Sequence, residues 1–176
     1  MRQKEGHLKT VVDYVTGEQL PDIGAEANRQ MVERFLVEQK GFSKQEIQVN
    51  WTIALDIDQE TYHSRVDLMV CIGKKPLMAI KCAAGSLGSR EREILAAARI
   101  TADYQIPFAV VSDGKTARVL DTLSAKTIGE GMQQIPSRRE LVDYSEDTAF
   151  LEFPKERRHR EKLIFRSYDS MNVNRT

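Results

Sequence analysis

The sequence is poor in the residues that build metal and disulfide frameworks. Of 176 residues only Cys71 and Cys82 are cysteines, and only His7, His63 and His159 are histidines. There is no CxxC pair and the histidines lie far apart, which excludes a structural zinc site. Both cysteines sit in apolar runs and are expected to be buried free thiols, as in a reducing compartment. An excess of either charge is also missing, since Lys+Arg and Asp+Glu both number 26. The chain as a whole is therefore no basic surface for nucleic acid, and any such binding needs a local patch. No apolar run approaches the ~20 residues of a membrane helix. Met1 to Thr10 has no apolar segment of the secretory kind. The expectation is a cytoplasmic protein with no membrane partner.

What remains is ordinary globular material, 41% apolar and 30% charged, in a chain of one-domain length. Lys9 to Val15 reads as a short strand ended by Thr16-Gly17. Gly24 to Lys40 reads as a helix, with Met31, Val32, Phe35 and Leu36 on one stripe and Gly41 as its stop. Ile47 to Asp58 alternates as a strand with one wet face. Arg65 to Ile72 is a second strand. Leu77 to Ala84 is a third, apolar on both faces except for Lys81, which suits the middle of a sheet. Ser89 is placed to cap a helix over Arg90 to Tyr104. Phe108 to Val111 and Thr116 to Asp121 read as a strand pair around Asp113-Gly114, and Ser137 to Tyr144 as a short helix. This order predicts an α/β fold with a central mixed sheet of about five strands flanked by helices. The expected domain spans residues 1–153, followed by a charged helix or tail over 154–176.

Three charged positions stand out. Glu26 falls in the first turn of the first helix. Asp67 lies inside an apolar strand and Lys81 inside a still more apolar one. Charges in such strands are costly unless paired, solvated or metal-bound. A carboxylate beside a lysine on the next strand is one way to build a metal-dependent nuclease site, in which carboxylates hold Mg²⁺ and the lysine positions the attacking water. The same residues have a simpler reading as a structural ion pair, Asp67 with Lys81, and a helix-start carboxylate favoured by the dipole, Glu26.

The segments Gly24 to Gln30, Gly41 to Lys44, Arg65 to Val70, Lys75 to Cys82 and Ile106 to Gly114, in this order and spacing, resemble the N-terminal domain of type I restriction enzyme R subunits. The resemblance covers roughly residues 10–125. It implies a restriction-endonuclease-like sandwich of the PD-(D/E)xK kind, Mg²⁺-dependent hydrolysis of DNA, and DNA and other restriction-modification subunits as partners. By position it assigns Glu26 and Asp67 to the metal and Glu26, Asp67 and Lys81 to catalysis. Arg65, Arg90 and Arg99 are the candidates for contact with nucleic acid.

The third strand departs from the pattern. The family usually reads Ile-Glu-Cys-Lys where this chain reads Ile80-Lys81-Cys82-Ala83. Positions 79, 81 and 83 share one strand face. In either alignment Lys81 points at the site and the strand's own carboxylate is gone. The family's Gln-xxx-Tyr motif on the next helix falls on Ala96 and Ile100. These departures predict a degenerate site.

Three readings stay open. An active endonuclease needs a second carboxylate from elsewhere, with Asp56, Asp58 and Glu60 nearest in sequence. A nuclease-fold domain without cleavage binds nucleic acid or another protein. A purely structural domain has no basic groove. Two other signals have plainer explanations. Ala109 to Thr116 nearly spells a phosphate-binding loop, but a strand rather than a helix follows, so Asp113-Gly114 reads as a hairpin turn. The basic run Lys155 to Lys162 reads as a solvated helix.

Overall fold

The computed structural model describes residues 9–173. A small antiparallel hairpin, β1 (Thr10–Val12) and β2 (Gln19–Pro21), leads into helix α1 (Glu26–Glu38). There follow β3 (Ile47–Ile57), β4 (Glu60–Ile72), β5 (Lys75–Cys82), helix α2 (Gly88–Ile100), β6 (Phe108–Ser112), β7 (Ala117–Asp121) and β8 (Lys126–Glu130). Helices α3 (Arg138–Asp147) and α4 (Lys155–Val173) follow.

Strands β3 to β8 form one mixed sheet of six strands in sequence order. Only β5 and β6 run parallel, because α2 carries the chain back across the sheet between them. The other pairs are joined by tight turns. Asp58 and Gln59 both take the left-handed conformation, φ 48° and 72°, and close a two-residue hairpin between Ile57 and Glu60. At the β6–β7 turn the Asp113 carboxylate accepts from the backbone N–H groups of Lys115 and Thr116. Gly114 there has φ 84°, and a Cβ on it would lie 2.8 Å from the Met31 side chain of α1. This is the expected hairpin turn, packed against a helix, and no phosphate-binding loop.

The sheet separates two cores. On one face Val32 and Leu36 of α1 and Leu141 of α3 pack on Leu68, Val70, Met78 and Ile80. On the other, α2 is buried from Glu93 through Ile100 between the sheet and α4, whose Phe165 is 2% exposed. The expected α1 stripe is narrower than its sequence pattern. Val32 and Leu36 are fully buried, Met31 is exposed, and Arg29, Gln30 and Glu33 share the buried face.

Strand alternation should keep odd-numbered β3 residues on one face. Ile47 and Val49 do join the α1 core, but Ile53, Leu55 and Ile57 join the α2 core. The changeover falls at Asn50, whose φ of 55° rotates the strand. Asn50 lies across the ladder from Asp67, between the Val49–Leu68 and Trp51–Val66 pairs. The sheet therefore turns at the position of the strand carboxylate.

Several boundaries differ from the sequence expectation. The sheet has six strands because β8 adds an edge. Strand β4 begins at Glu60 rather than Arg65, and α2 ends at Ile100 rather than Tyr104. Ser89 lies inside the first turn of α2 and donates to the carbonyl of Ser86, so it is no N-cap. Ser137 does cap α3, with a reciprocal bond from its own N–H to Glu140. Cys71 and Cys82 are both buried and free. Among the described residues no helix is long and apolar enough to cross a membrane.

Candidate functional site

Strands β4 and β5 pair from Ile72–Lys75 to Leu68–Ile80, and one step further Asp67 comes level with Lys81. There the ladder gives way to side-chain contacts. The Asp67 carboxylate accepts the backbone N–H of Cys82 at 2.7 Å and lies 3.6 Å from Lys81 Nζ. A second carboxylate closes on the same ammonium from above. Glu93 of α2 stands 3.1 Å from Lys81 Nζ and 3.2 Å from Arg90 Nη1. The Glu93 side chain is 3% exposed and those of Lys81 and Asp67 are 15% and 21% exposed, so the cluster opens to water on the strand side. Asp169 of α4 borders it and accepts from Tyr62 Oη and Ser64 Oγ at 2.6 Å each.

The electrostatics favour the charged lysine. Burial alone drives Lys81 towards the neutral amine, but Asp67 and Glu93 outweigh it and hold its pKa above the ordinary value. Cys82 shares the strand but is no nucleophile. Burial, reinforced by the Asp67 charge, pushes its thiol well above the usual range.

Glu26 belongs to a different cluster. Its carboxylate accepts from Arg29 Nη2 at 2.9 Å and from Gln30 Nε2 at 2.7 Å. The buried Arg29 also meets Asp13 at 3.0 Å, Asn50 Oδ1 at 2.9 Å and Glu33 at 3.4 Å. Three carboxylates thus surround one guanidinium. Glu33 is the least well served, because its Oε1 and Arg29 Nε face each other without a hydrogen bond. Burial, and then the Asp13 charge, push the Glu33 carboxyl up to about 7. This cluster reaches β3 through Asn50, and α1 separately reaches the residue after β5 through Asn28, whose Nδ2 donates to the carbonyl of Ala83.

The structure therefore joins Asp67 to Lys81, as one of the sequence readings has it, and leaves Glu26 with partners on its own helix. Of the arginines, Arg65 is exposed on β4, and Arg90 is paired to Glu93. Arg99 is buried, with Nη1 3.3 Å from Glu161 and Nη2 3.3 Å from the carbonyl of Thr122. The carboxylates proposed as substitutes lie elsewhere. Asp56 accepts from Thr61, Asp58 faces His159 and Glu60 faces Arg166, all at the distal end of the β3–β4 hairpin. The carboxylate that does reach Lys81 is Glu93, which sequence reading passed over. Its only signal is that Arg90 and Glu93 share a helix face just before the apolar run Ile94 to Ala98.

Among the described residues, no group of three or more His, Cys, Asp or Glu side chains is arranged to hold a metal ion. No curated protein and no solved structure matches the chain. A family model does, over residues 24–136, from the start of α1 past the last strand, and its description is type I restriction enzyme R protein N terminus. With that match spanning more than half of its length, the chain belongs to the family of type I restriction enzyme R protein N termini.

Proposed function

We propose that this domain is a non-hydrolysing member of its family, in which the Lys81 ammonium takes the place of the catalytic metal and the fold serves to bind DNA. The observation that carries the reading is the position of Lys81 Nζ between Asp67 and Glu93, 3.6 Å and 3.1 Å away. Mg²⁺ needs an octahedral set of oxygens and sheds its waters reluctantly. Here the space between the two carboxylates holds a cation that the site itself keeps protonated. A divalent ion entering it would meet that charge at contact range, where the low dielectric strengthens repulsion. The residues present do not suit Mg²⁺. Arg90, on the third side of Glu93, completes a neutralised network rather than an open ligand set.

Binding is the role left to such a face. Arg65 is exposed on β4, two positions before Asp67, and forms no ion pair among the described residues. A backbone phosphate of DNA is a fitting counter-charge for it. The test is fluorescence anisotropy with a duplex oligonucleotide across a salt series. Binding that weakens with salt, and weakens further in Arg65→Ala, supports the reading. No DNA binding at low salt would move the role to a protein partner.

A further inference from the structure

We propose that the open cleft lined by α2, the β7–β8 turn and the start of α4 is a binding site for a polyphosphate anion of nucleotide size. It is separate from the Lys81 cluster and does not depend on whether that cluster hydrolyses DNA. Its volume is about 540 Å³, within the ordinary range for small-molecule pockets. Four guanidiniums line it, those of Arg92, Arg99, Arg157 and Arg160, against the single carboxylate of Glu161.

That carboxylate does not neutralise the group. It is engaged in a two-point pair with Arg92, 2.7 Å on each arm, and reaches Arg99 at 3.3 Å. Arg157 and Arg160 are exposed at the mouth and have no ion pair among the described residues. Arg99 is 9% exposed and its Nε is buried without a hydrogen-bond partner. Burial, and the neighbouring charges of Arg92 and Arg157, lower its pKa even though Glu161 opposes the shift. Like charges gathered at a cleft wall destabilise the empty protein, and a bound anion removes that cost.

The geometry also suits phosphate. The guanidiniums of Arg99 and Arg157 both lie over the Phe153 ring, 5.3 and 5.6 Å from its centroid, which limits their freedom. Glu161 and the Thr122 carbonyl hold the forks of Arg92 and Arg99, so the forks offered to phosphate oxygens through two parallel hydrogen bonds are those of Arg157 and Arg160. Pro154 leads directly into α4, a helix of 19 residues, so the positive end of that helix adds to the same field. Leu95 and Leu123 give the cleft an apolar wall able to cover an organic group.

The experiment is calorimetric titration of the full chain with ATP, with inorganic tripolyphosphate and with adenosine, without added metal. The double variant Arg157→Gln/Arg160→Gln serves as control, because both side chains are exposed and its melting temperature checks its fold. Saturable binding of ATP and tripolyphosphate, none of adenosine, and a loss of about tenfold or more in the double variant support the site. No saturable binding of either polyphosphate at millimolar concentration overturns it. Unchanged affinity in the folded double variant also overturns it, as does binding of duplex DNA without binding of tripolyphosphate.

Discussion

Lys81 Nζ stands 3.1 Å from the carboxylate of Glu93, a residue 12 positions on and on the helix that crosses the sheet. The family pattern sets a strand glutamate beside the catalytic centre. Here the acidic group comes down from α2 and the strand supplies the cation. The result is a paired set of charges, Asp67, Lys81, Glu93 and Arg90, with Asp169 beside it.

Removing the ammonium should destabilise the fold. Lys81→Met leaves Asp67 and Glu93 facing each other without their shared counter-charge. Breaking a buried pair costs about 3–5 kcal/mol, and the partial exposure of this one reduces the expectation to about 2–3 kcal/mol. Urea denaturation at pH 7 measures it. A change below about 0.5 kcal/mol would show that the pair is merely a surface contact.

Reversing the charge should create a metal requirement. Lys81→Glu places a third carboxylate beside Asp67 and Glu93. This variant is expected to melt lower than wild type in a chelator and to recover with Mn²⁺, by the linkage of binding to stability. The melting temperature of the wild type should not respond to Mn²⁺. An equal response in both proteins would mean that the ion binds elsewhere.

Much of this arrangement was legible before the structure. The alternation in Ile47 to Ile57 and the apolar runs around Asp67 and Lys81 mark three adjacent strands, and Asp67 and Lys81 do meet across two of them. Other features left little trace. Strand β8 carries almost no buried side chain, because it is an edge, so Lys126 to Glu130 shows no hydrophobic pattern. The β3–β4 turn uses Asp58-Gln59, which lacks the glycine that usually announces a left-handed hairpin. That hid the polar first half of β4. Glu93 was out of reach for a different reason. Helical spacing puts it beside Arg90, but only the packing of α2 on β5 decides that this face meets Lys81.

The Arg29 cluster predicts an unusual pH profile. The Glu33 carboxyl is raised to about 7 in the folded protein from an ordinary value of 4.5. The folded state then binds more protons than the unfolded state between those values, so stability falls as pH rises from about 4.5 to 7. Glu33→Gln should flatten that part of the curve, measured as denaturant stability at pH 5, 6, 7 and 8. A wild-type profile that parallels that of Glu33→Gln over this range would rule out a protonated Glu33.

Glu161 acts in the opposite direction. Burial works against its charge, but the Arg92 contact, with Arg99, holds its pKa below the ordinary value. Its contribution is therefore present above about pH 4.5 and lost as pH falls through the depressed value. Glu161→Gln should cost about 2–4 kcal/mol at pH 7, because it leaves Arg92 and the buried Arg99 without their counter-charge. The cost of the same variant should shrink as pH is lowered below 4.5. A cost that persists undiminished at low pH would assign it to lost packing instead.

The central claim is that a lysine stands where a metal would work. The most direct measurement is cleavage of supercoiled and linear DNA with Mg²⁺ and with Mn²⁺, comparing wild type with Asp67→Ala. The account predicts no metal-dependent cleavage by either protein. Cleavage by the wild type that needs metal and disappears in Asp67→Ala would contradict it, and would mean that Lys81 gives way to a metal when DNA is bound.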